Sequence, residues 1–280
     1  MAFNLDVIGK TFGPSEHEYT EQDVILYALG CGAGIEELDL LYEARGPKVL
    51  PTFAVVPAYK PLHESLIALG GNMLTLVHGA QRVTIHRSIP ARGTVLSSAK
   101  IGALYDKGKG ALAVISTSTR NGAGELLFET EWQIFYRGEG GFGGERGPDA
   151  PPFGPPEGKA ADVRLEMPTQ PTQAALYRLG SHDLNPIHID PQVATKVGFK
   201  NPILHGLCTF AHAGRAAILG LCAGDPEKLV SLEGRFSKPV TPGDTIVTEL
   251  YSVGPGEAYF VSSVNPKDPV ITLGRVTYRS

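Results

Sequence analysis

The pentapeptide Leu26-Tyr27-Ala28-Leu29-Gly30 returns as Leu176-Tyr177-Arg178-Leu179-Gly180, and Gly93, set in a turn between two strand-like runs, returns at the same offset as Gly243. A constant offset marks a duplicated unit, so the chain is expected to fold as two like halves in series. Each half opens on a helix start: Thr20-Glu21-Gln22-Asp23 caps an apolar run over residues 24–29, and Thr172-Gln173 stands in the same place before residues 174–179. Each half then turns rich in β-formers between glycine turns, over residues 81–85, 95–105, 111–119 and 126–136 in the first and 229–237, 245–253, 258–264 and 270–278 in the second. Helices followed by an antiparallel meander predict α+β units. The segment between them is dense in glycine and proline, the composition of an ordered surface crossover. The expected division is residues 1–137, a connector over 138–160, and residues 161–280.

The two copies diverge directly after the shared pentapeptide. The first reads Cys31-Gly32-Ala33-Gly34-Ile35, without acid or imidazole, whereas the second reads Ser181-His182-Asp183-Leu184-Asn185-Pro186-Ile187-His188. Chemistry is therefore expected in the second copy alone. Pro186 fixes its own φ and pushes Asn185 out of the α region, so the segment turns. Asp183 and Asn185 stabilise such turns by bonding nearby amides, and the turn can aim Asp183 and His188 into one pocket. Histidine exchanges protons near neutral pH, and a neighbouring carboxylate can orient it. Asp190-Pro191 supplies an N-cap and first-turn proline for a short helix over residues 192–197, closed by Gly198. Pro202 separates it from a second helix over residues 207–221. Amides at the start of that helix favour developing negative charge, and Gly206 has no side chain to block approach. Taken singly, each feature reads most simply as turn or cap chemistry or a structural histidine. Acid, amide and imidazole beside a glycine-opened apolar helix are together costly to bury without a use.

The same residues carry a resemblance. Tyr177-Arg178-Leu179, Asp183-x-Asn185-Pro186-x-His188-Ile189-Asp190-Pro191, Gly198-Phe199 and Pro202-Ile203-Leu204-His205-Gly206-Leu207-Cys208-Thr209 resemble the (R)-specific enoyl-CoA hydratases of the MaoC-like type, above all the hydratase domain of peroxisomal multifunctional β-oxidation enzymes. Tyr27 to Gly30, Leu41-Tyr42-Glu43, Leu50-Pro51-Thr52-Phe53, His78-Gly79, Asp106-Lys107-Gly108 and Gly140-Gly141-Phe142-Gly143-Gly144 extend the likeness along nearly the whole chain. In one departure, that family has Ser-Gly directly before the catalytic acid, whereas this chain has Gly180-Ser181-His182, one residue longer.

The resemblance implies a double hot-dog fold, two repeats each with an antiparallel sheet curled around a long central helix. It implies reversible hydration of a trans-2-enoyl-CoA to a (3R)-3-hydroxyacyl-CoA. Asp183 and His188 would hold one water, Asn185 would orient the water or the acid, and the Gly206 amide would bind the thioester oxygen. His78, Gly79 and Lys107 from the first copy, and Leu184, Pro186, Ile187 and Phe236 from the second, are implied to contact the CoA thioester. Arg235 and Lys238 could serve the CoA phosphates, although a solvated strand edge is the simpler account. The first copy, having given up catalysis, is implied to house the acyl chain, with the apolar stretch over residues 66–77 either lining it or forming ordinary core. Glu43 matches an acidic position of the family and reads as a structural acid, buried and bonded to backbone. No metal and no cofactor beyond the CoA of the substrate is implied, and sheet-to-sheet pairing of such units suggests a homodimer.

Composition bounds the rest. With 42% hydrophobic and 19% charged residues, a chain of 280 residues is globular and long enough for two units. A net charge of −4 argues against nucleic-acid binding by bulk electrostatics while leaving room for a local basic patch. Cys31, Cys208 and Cys222 are odd in number and lack metal-ligand spacing, so reduced core cysteines are expected. Residues 1–12 show no apolar secretory core, and Tyr278-Arg279-Ser280 is not the Ser-Lys-Leu tag, so a cytoplasmic location is expected with a peroxisomal one left open. The run over residues 203–222 invites a membrane reading, but His205, His212 and Arg215 interrupt it; no membrane insertion is expected, and a buried central helix is. Two other function classes stay open: a hot-dog thioesterase, which would aim its water at the carbonyl instead of C3, and a non-catalytic acyl-CoA-binding protein.

Overall fold

The computed structural model describes residues 2–150, 152–265 and 268–279. Pro151 of the connector and Ser280 of the C-terminal tripeptide lie outside the described residues. The first series of elements is β1 (Thr11–Tyr19), α1 (Glu21–Gly30), α2 (Leu38–Leu41), α3 (Val55–Leu69), β2 (Leu76–Ile85), β3 (Gly93–Asp106), β4 (Gly110–Asn121) and β5 (Leu126–Arg137). The second is β6 (Val163–Pro168), α4 (Gln173–Ser181), α5 (Pro191–Lys196), α6 (Gly206–Leu221), β7 (Leu229–Phe236), β8 (Thr245–Gly254), β9 (Glu257–Asn265) and β10 (Asp268–Tyr278). Strand, helix, short helix, long helix and four strands recur in one order, so the sequence repeat is also a repeat of elements. The strand order β1-β3-β4-β5-β2 has its counterpart in β6-β8-β9-β10-β7. The pairs β3–β4, β4–β5 and β2–β5, like β6–β8, β8–β9, β9–β10 and β7–β10, are antiparallel, which gives the α+β class expected.

Contacts divide the chain into two compact units. One comprises Met1–Glu18, Ala54–Arg87 and Thr94–Pro152, and the other Tyr19–Phe53, Ser88–Gly93 and Phe153–Ser280. These units do not follow the halves of the sequence, because α1 and α2 pack with the second series. The repeated pentapeptide explains why. A Cβ on Gly30 would lie 2.8 Å from the Tyr177 Cα, and one on Gly180 would lie 2.6 Å from the Tyr27 Cα. Each copy's glycine thus seats the other copy's tyrosine backbone, an approach of α1 to α4 that any side chain would block. The buried Tyr27 and Tyr177 rings sit 5.7 Å apart beside this contact.

Local chemistry departs from expectation at several points. Thr20 closes the capping box with Asp23, as read from the sequence, but Thr172 makes no side-chain cap on α4. Gln173 is used instead: its Nε2 donates to the Leu29 and Gly30 carbonyls at 3.1 and 2.6 Å, satisfying the C-terminus of α1. β1 and β6 went unread because Gly13 and Pro14 interrupt one and the other spans only Val163–Pro168. α3 went unread because Pro57 and Pro61 look like breakers. Pro57 falls in the first turn, where its missing N–H is harmless, and the helix runs through Pro61 on a largely buried face. The stretch over residues 66–77 is therefore the end of α3, a turn and the start of β2. Leu66 and Leu69 are core, whereas Ile67, Met73 and Leu74 are exposed.

α6 is the core of the second unit, buried from Leu207 through Ile218. Its Arg215 pairs with Glu37 and donates from Nη1 to the Cys31 carbonyl at 3.1 Å, which satisfies a charge that would otherwise be stranded. Among the described residues no helix is long and apolar enough to cross a membrane. Cys31, Cys208 and Cys222 are free and buried.

Candidate active site

The turn after α4 is built from its own short side chains. His182 ends the helix in the left-handed conformation, at φ 59° and ψ 16°. Asp183 Oδ1 accepts the Asn185 amide at 3.1 Å, and Asn185 Oδ1 accepts the Ile187 amide at 3.2 Å. These successive side-chain caps wind Pro186–His188 into a 3₁₀ turn. Asp190 then caps α5 through the Gln192 and Val193 amides, and Gly198, at φ 93°, follows the end of that helix.

The turn delivers His188 to the segment that opens α6. His188 Nδ1 lies 2.8 Å from the Ile203 carbonyl oxygen, which can only accept, so Nδ1 carries the proton and Nε2 is left as an acceptor. Asp183, His188 and His205 each place one polar side-chain atom within 4.8 Å of the others. The His188 and His205 rings stack with centroids 3.7 Å apart and planes inclined by 28°. His205 Nε2 donates to the Asp183 carbonyl at 3.3 Å, and its Nδ1 is buried without a partner among the described residues. Burial lowers the His188 pKa below its ordinary 6.5, against the Ile203 carbonyl and the Asp183 charge, which raise it. Burial and the neighbouring His188 lower His205 to about 3. Both imidazoles are thus neutral at neutral pH.

Gly206 is the first residue of α6, where the helix offers its amide no internal acceptor. A Cβ there would meet the Phe236 ring at 3.5 Å, which places Phe236 directly beside Gly206. Leu184 and Pro186 are exposed and Ile187 half-buried on the same turn. Of the residues singled out from sequence, Asp183, Asn185, His188, Gly206, Leu184, Pro186, Ile187 and Phe236 belong to one unit. Asn185, however, uses its side-chain oxygen as a backbone cap, which leaves the amide nitrogen for any orienting role.

His78, Gly79 and Lys107 belong to the other unit. His78 stacks on Trp132 with centroids 5.1 Å apart, and its Nε2 donates to the Ala80 carbonyl at 3.1 Å. Gly79 is the extra residue of a β-bulge, since His78 pairs with Ile134 and Ala80 with the adjacent Gln133. Lys107 Nζ lies 3.2 Å from the Pro148 carbonyl, in an exposed turn. The neighbouring Asp106 carboxylate accepts the Gly108, Gly141 and Gly143 amides, so it pins the glycine-rich loop and its own pKa falls.

Glu43 corrects a sequence expectation. It is exposed in a surface 3₁₀ turn, where Arg45 rather than Glu43 makes the side-chain bond, an ion pair with Asp39 at 2.8 Å. The acid this segment does turn inward is Glu37, paired with Arg215. Two site residues were missed in turn. His205 enters the sequence reading as part of the family motif and as an interruption of an apolar run, without a site role, though it stands directly before Gly206. Arg178, inside the repeated pentapeptide, is half-buried with Nη1 buried and unpartnered among the described residues, and its charge lowers both histidine pKa values.

Residues 17–138 match the MFE-2 hydratase 2 N-terminal domain, and residues 152–272 match the MaoC like domain. The chain is similar to a probable enoyl-CoA hydratase 2 of Dictyostelium discoideum, 38% identical over 265 residues that cover 92% of this chain and 90% of that protein. It is similar to the 3-hydroxyacyl-thioester dehydratase Y of Mycobacterium tuberculosis, 40% identical over 278 residues that cover 96% and 94%. The crystal structure of a MaoC-like dehydratase from Phytophthora capsici is 32% identical and superposes with a TM-score of 0.87, over 99% of this chain and 98% of that one. The chain belongs to the MaoC-like hydratase 2 family, with its α+β double hot-dog fold.

Proposed function

We propose that the protein adds water reversibly across the double bond of a trans-2-enoyl-CoA, forming a (3R)-3-hydroxyacyl-CoA, as a hydro-lyase. The observation that carries this reading is the tautomer of His188, whose Nδ1 proton is committed to Ile203, whose Nε2 makes no hydrogen bond among the described residues, and whose ring belongs to the cluster with Asp183. A neutral imidazole with an open ring nitrogen beside a carboxylate is a general base for one water. His188 Nε2 takes a proton as the water oxygen bonds to C3, while Asp183 orients the water and balances the imidazolium that forms. Electron density moves onto the thioester oxygen, which the Gly206 amide stabilises by about 3–4 kcal/mol. The imidazolium then returns a proton to C2, so that one water is added and both side chains recover their starting states.

Neither a metal nor a redox cofactor has a part in this scheme. Leu184, Pro186, Ile187 and Phe236 line the thioester, with His78, Gly79 and Lys107 contributing to the CoA site, and the protein works as a homodimer. Its three buried free cysteines suit a reducing compartment, the cytoplasm or a peroxisome. The test is a side-by-side assay of enoyl-CoA and saturated acyl-CoA with chiral analysis of the product. Loss of enoyl absorbance without thiol release, yielding the 3R product, is expected. Thiol release would identify a thioesterase, and binding without turnover would identify a carrier.

A further inference from the structure

We infer that His205 is a positioning residue, a clamp that holds the Asp183 turn and the His188 ring in register with the Gly206 amide. This rests on the reading of Asp183 and His188 as the water-activating pair. The turn's own bonds are local: Asp183 Oδ1 to the Asn185 amide, Asn185 Oδ1 to the Ile187 amide, and the Pro186 carbonyl to the Ile189 amide. They shape the turn but do not fix it against α6. Among the described residues, two hydrogen bonds cross from the turn to the segment opening that helix, His188 Nδ1 to the Ile203 carbonyl and His205 Nε2 to the Asp183 carbonyl. His205 supplies one of them, stacks on the ring that makes the other, and is bonded covalently to Gly206.

Its chemistry suits a clamp rather than a filler. His205 is the N-cap of α6, yet its side chain makes no cap bond and reaches back to Asp183. The ring is 1% exposed, and its Nδ1 has no partner among the described residues. A buried polar atom without a partner is a standing cost that a phenyl ring of similar size would avoid. What phenylalanine would lack is the N–H to Asp183. The charged and titratable groups around His188 are Asp183 in its own turn, Arg178 on α4 and His205 itself, so loss of the stacked ring admits water to His188.

The experiment uses the full chain with His205→Ala, His205→Phe and His205→Gln, measuring kcat, KM for a trans-2-enoyl-CoA, the pH profile and thermal stability. For His205→Ala, kcat should fall about 100-fold while KM changes by less than about threefold, the pattern of misplaced reacting groups. Its acid limb should move to higher pH. His205→Phe should keep stability and the acid limb but lose kcat as the alanine variant does. His205→Gln, with a side-chain N–H for Asp183, should recover about tenfold of the loss. Wild-type kcat in a folded His205→Phe overturns the proposal. So does a loss of kcat in all three variants that follows thermal stability with an unmoved acid limb, which marks packing alone. Where the alanine variant does not fold, the near-isosteric phenylalanine variant decides. If Asp183→Ala and His188→Ala retain the wild-type rate, the reading of the pair has failed. If those are inactive and His205→Phe is fully active, only the clamp has.

Discussion

At the scale of single residues the chemistry turns on which atoms remain uncommitted. His188 has its Nδ1 tied to a carbonyl and a pKa lowered by burial, so it is neutral and basic at neutral pH. The rate kcat/KM is expected to hold level as pH falls through 6.5, the ordinary value, and to drop only below it as His188 takes a proton. A pH-rate profile with its acid midpoint at or above that value would contradict the assignment. Asp183→Asn and His188→Ala should each lose about 10²–10⁴ in kcat with the fold intact by circular dichroism. The Gly206 amide can be removed without disturbing the helix, because proline is tolerated at the first helical position and His205 before it is already extended at φ −57° and ψ 134°. Gly206→Pro should therefore fold normally, and its single-turnover rate should fall about 10²–10³-fold. A rate near wild type would place the oxyanion donor elsewhere.

Among secondary-structure elements, the decisive contact is α1 against α4. The atoms facing Gly30 and Gly180 are main-chain atoms of Tyr177 and Tyr27, which no rotamer change can move aside. Gly180→Ala gains about 1 kcal/mol of helix propensity but overpacks this contact by about 1–3 kcal/mol or more. The expected outcome is a lower thermal midpoint, and because α4 carries the turn bearing Asp183, a lower kcat as well. An equal or higher midpoint would mean the helices separate freely. A second junction, Glu37 with Arg215, ties the loop after α1 to α6 with side chains only 13% and 7% exposed. Glu37→Gln should destabilise by about 3–5 kcal/mol, since it strands a buried guanidinium. Replacing the pair together by Leu and Met should recover much of that loss in urea denaturation.

At the scale of the whole molecule, stability depends on buried histidines that must stay neutral. His205 and His212 are 1% and 0% exposed, with pKa values lowered to about 3 and about 4, chiefly by burial. Between those values and 6.5 the unfolded chain binds protons that the folded one refuses. The stability these groups contribute is therefore fully present above 6.5 and is lost as pH falls toward the folded values. The slope is up to ~1.4 kcal/mol per pH unit for each residue. Urea unfolding at pH 7, 6 and 5 should show stability falling steadily with acidity, and His212→Gln should flatten the curve. A stability independent of pH across this window would show that these rings take up protons when buried.

The sequence by itself determined the duplication, the α+β class, the meander strands of both copies and the restriction of acid and imidazole to the second copy. Each of these rests on local pattern: a constant offset, period-two runs between glycine turns, and side chains such as Asp183, Asn185 and Asp190 that bond amides two or three residues away. Only the tertiary structure decided that α1 joins the second unit, that Gln173 rather than Thr172 serves a helix end, and that the inward acid is Glu37 rather than Glu43. The tautomer of His188 and the place of His205 were settled there too. A proton's position on a ring depends on a carbonyl fifteen residues away, and the burial of a charge depends on a partner well over a hundred residues away. Neither distance leaves a trace in the spacing of residues along the chain.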